Sequence, residues 1–113
     1  MKIILQGIHI DLTPAIRAFI EEKLAPIERM TRRLAGGAEA EAWVELGRTT
    51  RHHRKGPAVY EAEVHLRLPR MAFRVSHSEK DPRVAIDRLV KKLKLEIVKH
   101  KEKAKSKFEG KRA

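Results

Sequence analysis

Apolar positions recur on every second residue in two stretches of the chain. In residues 39–47, Ala40, Ala42, Val44 and Leu46 fall on one side and Glu39, Glu41, Trp43 and Glu45 on the other. In residues 59–68, Tyr60, Ala62, Val64, Leu66 and Leu68 alternate with Glu61, Glu63, His65 and Arg67. That period of two predicts strands with one buried and one wet face. After the turn "LPRM", residues 71–77 repeat the pattern, with Met71, Phe73 and Val75 facing the core. Residues 2–8, "KIILQGI", are apolar on both faces and predict an interior strand. Two other stretches switch to helical spacing. Ile16, Phe19, Ile20, Ile27, Met30 and Leu34 form one stripe, and Ile86, Leu89, Val90, Leu93 and Ile97 form another.

The element ends carry matching signals. Thr13 can cap the first helix, and Pro14 suits its first position because proline lacks an N–H there. Pro26 predicts a kink or the end of that helix's first half, and "AGGA" at 35–38 stops it. The connection 48–57, "RTTRHHRKGP", reads as a long basic hairpin loop. The last helix starts near residues 79–82 and is expected to end near 103. Beyond it, residues 104–113 lack apolar periodicity and are expected to form a basic, flexible tail. The predicted order is β-α-β-β-β-α in a single α+β domain over residues 1–103. Both helices should cover one face of a four-stranded mixed sheet, with the first strand paired in parallel to a neighbour.

Charge changes this picture. The chain has 113 residues, 26 Lys and Arg against 15 Asp and Glu, and a net charge of +11. Residues 88–113 hold eleven Lys and Arg against three Glu, so most of the excess lies in the last quarter. Such a balance favours an acidic partner: nucleic acid, an anionic membrane surface or an acidic protein. On a helix, Arg88, Lys91, Lys92, Lys99 and Lys103 fall within about a third of the circumference, opposite the apolar stripe, and Lys94, Lys101 and Lys105 flank them. A solubilising face would mix signs, whereas this one carries few acids. A membrane-surface helix fits less well, because the core needs the stripe and no aromatic anchor flanks it. Arg48, Arg51, Arg54 and Lys55 make a second basic cluster, in the hairpin loop.

Catalysis finds little support. The chain has no cysteine, no G-x-S-x-G, no phosphate-binding glycine loop and no H-E-x-x-H. Its six histidines are scattered; only His52 and His53 adjoin, and neighbours on an extended chain point apart, so no metal site or cofactor is expected. Glu41, Glu45, Glu61 and Glu63 read as the solvated face of a half-exposed sheet. That acidic face, with Trp43 its one aromatic, would repel phosphate and differs from a base-stacking RNA-recognition sheet. Trp43 is therefore expected to pack over a strand edge, and any nucleic acid should meet the helices and loops. No apolar run approaches the roughly 18 residues of a membrane span, and "MKIILQGIHID" lacks a signal-peptide cleavage pattern. A reducing cytoplasm is the expected location.

"GIHIDLTPAIRAFIEEKLAPIERM", followed much later by "AIDRLVKKLKLEIVKHKEK", resembles the ribosome hibernation promoting factor / ribosome-associated inhibitor A family, once called sigma-54 modulation proteins. The second stretch contributes Asp81, Ala85, Ile86, Asp87, Lys92, Leu93, Lys99, His100, Lys101 and Lys103 to the pattern. The resemblance covers residues 2–103 and implies a double-stranded-RNA-binding-domain-like fold. It implies binding to the small ribosomal subunit, and to whole ribosomes, in the tRNA/mRNA channel through ribosomal RNA. Translation would be blocked sterically during stress or stationary phase, without catalysis, cofactor, membrane or small-molecule substrate. Charge and helix geometry make Arg88, Lys91, Lys92, Lys99, Lys101 and Lys103 on the helix, and Arg51, Arg54 and Lys55 in the loop, the candidate RNA contacts. Of these, Lys92 and Lys99 match family RNA-contacting positions. The chain resembles the short members, which lack a dimerisation domain, and a monomer off the ribosome is expected. Two positions depart from the pattern: Arg83 stands where relatives often have Tyr, and Leu95 where many have Arg. The other readings are a ribosome-assembly or general structured-RNA-binding module and, more weakly, an RNA-processing enzyme.

Overall fold

A computed structural model describes residues 1–49 and 59–112, with side chains described through residue 103. The elements follow in the order β1 (Lys2–Ile8), α1 (Pro14–Thr31), β2 (Glu41–Thr49), β3 (Val59–Arg67), β4 (Ala72–Glu79) and α2 (Pro82–Arg112). This is the β-α-β-β-β-α order read from the sequence. The four strands form one sheet in the order β1-β2-β3-β4. β1 runs parallel to β2, while β3 and β4 continue antiparallel. β1 is therefore an edge strand, which corrects the interior placement expected from its apolar run. Ile3 and Leu5 are half-buried against the core, while Ile4 lies on the other face, in register with Trp43. The run is apolar on both faces because Ile4 and Trp43 sit side by side on the open face.

The alternation in β2 and β3 places side chains as expected. Ala42, Val44, Leu46, Ala62, Val64 and Leu66 are all buried, and they meet Ile86, Leu89, Val90, Leu93 and Ile97 of α2. α1 adds Ile20, Leu24 and Ile27 to the same core. Both helices thus cover one face of the sheet.

α1 starts as its sequence signals, with the Thr13 hydroxyl accepting from the Ile16 N–H at 3.2 Å. It runs through Pro26 to Thr31, so Pro26 does not end it. Its C-terminal end is satisfied from inside and outside. The buried Thr31 hydroxyl donates to the Ile27 carbonyl at 2.8 Å, and the Thr31 carbonyl accepts from the Ala35 N–H. Gly36 and Gly37 then take left-handed conformations, with φ of 60° and 88°, that a β-carbon would resist. α2 begins on Asp81, whose carboxylate accepts from the N–H groups of Arg83 (2.8 Å) and Val84 (3.1 Å), with Pro82 in the first turn. It continues to Arg112, past the end expected near residue 103. Lys, Ala and Glu after that point all favour helix, so the loss of apolar periodicity does not mark its end.

Gly7 tests how tightly β1 is folded back. A β-carbon there would overlap the Ile10 carbonyl oxygen and stand 3.1 Å from Leu12 Cγ. Gly7→Ala should therefore cost about 1–3 kcal/mol, seen as a lower urea midpoint with unchanged slope.

Candidate nucleic-acid interface

α2 buries one stripe and presents the opposite side to solvent. Leu95 stands at the apex of that outward side with 60% of its surface exposed. Arg88, Lys91 and Lys99 lie within about 40° of it around the helix, and Lys92 at about 60°. All four are exposed. Val84 and Val98, both partly exposed, share this side, so cations and apolar side chains alternate along it.

The basic residues divide by what holds them. Lys23 of α1 reaches Asp87 at 3.1 Å and Lys91 reaches the same carboxylate at 3.2 Å, joining the two helices. Hydrogen bonds from Lys23 first, and Lys91 second, hold Asp87 below the usual carboxylate range. Lys92 donates to the Ser76 carbonyl at 3.0 Å, so its ammonium lies at the β4 edge of the sheet. Lys101 turns the other way and donates to the Met30 carbonyl at 2.9 Å, closing the C-terminal end of α1. Lys99 is 70% exposed and only loosely paired with Glu96 at 3.7 Å. Arg88, Lys94 and Lys103 have no ion pair or hydrogen bond among the described residues. Arg51, Arg54 and Lys55 lie outside the described residues.

Two members of this surface escaped sequence reasoning. Lys23 extends the positive charge onto α1, and Arg83 places its guanidinium carbon 5.3 Å from the Phe19 ring centre. Lys23 approaches the same ring at 5.5 Å. The available signal was the four-residue step from Phe19 to Lys23, which puts ring and ammonium on one helix face. Arg83 thus joins the start of α2 to α1. The histidines that are described stand apart: His77 pairs with Glu79 at 2.6 Å, and His100 meets the Phe73 ring edge-on. Among the described residues, no three His, Asp or Glu side chains are grouped to hold a metal ion.

Comparison with known proteins decides the family. The family model described as "Sigma 54 modulation protein / S30EA ribosomal protein" matches residues 3–105. The chain belongs to this family. Its members are ribosome-associated modulation factors. The N-terminal domain of Thermus thermophilus Protein Y is similar at 32% identity and a TM-score of 0.67, over 86% of this chain and 96% of that one. A ribosomal subunit interface protein from Coxiella burnetii shares the fold at 19% identity and a TM-score of 0.68, over 90% of this chain and 99% of that one. No curated protein sequence matches significantly.

Asp87 offers a direct test of the helix-to-helix bridge. Its lowered value means that its contribution to stability is present above the ordinary aspartate range and is lost as pH falls through the lowered value. Asp87→Asn should cost no more than about 1 kcal/mol at neutral pH, because the bridge is solvent-exposed. The gap between the two melting curves should close in strong acid; a gap independent of pH would mean that the carboxylate's charge is not what stabilises.

Proposed function

We propose that this protein occupies the tRNA/mRNA channel of the small ribosomal subunit and keeps idle ribosomes inactive under stress or in stationary phase. The observation that carries this reading is the outward side of α2, where Arg88, Lys99 and Lys103 are not held in close ion pairs, on a chain that belongs to a ribosome-associated family. Cations already bound tightly to protein carboxylates gain less from phosphate, whereas free ones release counterions from RNA when they bind. The compact domain supplies shape, and the helix supplies affinity. Inhibition is steric and needs no reacting group. Lys92 and Lys101 contribute charge at the margins, since each is also tied to a backbone carbonyl. Arg51, Arg54 and Lys55, between β2 and β3 in the sequence, would add contacts. The domain acts in the cytoplasm and as a monomer when off the ribosome.

Gradient co-sedimentation tests this reading. Binding to mature small subunits and whole ribosomes, in competition with mRNA or tRNA, is expected. Binding only to immature particles, or equally to any RNA duplex, would favour an assembly or general structured-RNA module instead. Arg88→Glu with Lys99→Glu should weaken ribosome binding about 10- to 100-fold at moderate salt without lowering the melting temperature, and wild-type affinity should fall steeply as salt rises. Leu95→Arg should tighten binding several-fold by adding a phosphate contact; weaker binding would show that Leu95 makes an apolar contact of its own.

A further inference from the structure

The sheet face turned away from the helices gathers carboxylates at one end. Glu45 of β2 stands directly opposite Glu63 of β3, and Glu61 follows on the same side of β3, opposite Gly47. Like charges facing each other across a strand pair destabilise it. Yet among the described residues no cation forms an ion pair with any of the three. Lys2, Arg67 and Arg74 lie toward the other end of this face, in the rows of Glu41 and Trp43, and Arg48 is the one cation bordering the glutamate end among the described residues. The three glutamates, with Ile8, His9 and Arg48, border a concavity of 370 Å³ whose floor Gly47 leaves free of a side chain. In the next row Trp43 is 43% exposed, an indole beside Ile4 on the same face.

These features select a ligand class. Three carboxylates against Arg48 disfavour phosphate. The carboxylates are not grouped to hold a metal ion, so several separated cations suit them better than one ion. An indole beside carboxylates suits guanidinium groups, which stack on the ring and pair with the acids at once. We infer that this open face docks an extended, arginine- and lysine-rich segment of a ribosomal protein, stacked on Trp43 and paired with Glu45, Glu61 and Glu63. The source of the segment rests on the ribosome-binding reading; its chemistry does not. α2 would then hold RNA while the opposite face holds protein.

Trp43 is the only tryptophan in the chain, so its emission reports this face alone. Titrating the protein with a short alternating Arg-Gly peptide should change that emission saturably. The affinity should fall by about tenfold or more in Glu45→Gln/Glu61→Gln/Glu63→Gln, and stay unchanged in Glu21→Gln/Glu22→Gln on α1. The triple variant loses only repulsion within the sheet, so its melting temperature should not drop. No saturable change, equal affinity in the triple variant, or an equal response to a uridine-rich oligonucleotide would overturn the inference. On purified ribosomes, a benzoylphenylalanine photocrosslinker in place of Trp43 should label a basic segment of a ribosomal protein; labelling of ribosomal RNA would overturn it. Loss of co-sedimentation by the wild-type chain would sink the ribosome-binding reading, while the peptide titration would still decide the chemistry of this face.

Discussion

Leu89, Leu93 and Ile97 of α2 share one dry layer with Val44, Leu46, Val64 and Leu66 of the sheet, and that contact leaves little freedom elsewhere. A helix can bury only part of its circumference in such a layer, so the positions between those side chains must face water. A strand alternates, so sending Val44 and Val64 inward sends Glu45 and Glu63 outward on the other face. The core therefore also sorts charge. Cations collect on the outer side of α2, while the outer side of the sheet carries Glu45, Glu61 and Glu63 at one end and Lys2, Arg67 and Arg74 toward the other. A domain whose cations gather along one helix and whose carboxylates gather at one end of the sheet presents an uneven field to a charged partner.

Within the basic side, the number of lysines overstates the charge free for a partner. Lysine stems are long enough to carry an ammonium from an outward position to the rim of the helix. Lys92 reaches the Ser76 carbonyl on edge strand β4, and Lys101 reaches the Met30 carbonyl at the end of α1. Lys101 thereby satisfies a carbonyl that the end of a helix leaves open. Lys23 and Lys91 converge on Asp87 and fasten α1 to α2. The same residue type thus assembles the helical layer and charges its surface, and only the geometry separates the two uses.

The alternation of β2 and β3 and the stripe of α2 were legible because burial imposes their periods directly on the residues. Thr13, Pro14 and Pro82 were legible because helix ends have fixed needs. What could not be read was set by neighbours. β1 looks like an interior strand because Ile4, on its outer face, lies beside Trp43 of β2, a relation that exists only once register is known. Thr31 is polar yet buried, because its hydroxyl bonds to carbonyls of its own helix. The basic stripe was visible as a pattern, but the partners of Lys23, Lys92 and Lys101 are 16 to 71 residues away in the chain and left no local mark.

Leu95 stands apart from the cations around it. It is 60% exposed and lies on the side of α2 opposite the core, so packing within the domain does not require it. Leucine and arginine have nearly equal helix propensity, so the helix itself is indifferent to the choice. A solubilising surface would be served better by the charged residue. Folding therefore does not distinguish the two side chains, and what separates them is felt when this face is covered. An arginine there would add a phosphate contact that salt weakens. A leucine adds apolar area that can be buried only against ribose, a base or a protein side chain, and that contribution does not fade with ionic strength. With Val84 and Val98 on the same side, α2 carries a narrow apolar ridge among its cations. If this face is covered by a partner, such a ridge would trade affinity driven by charge for affinity driven by fit, at a position where charge would cost the fold nothing.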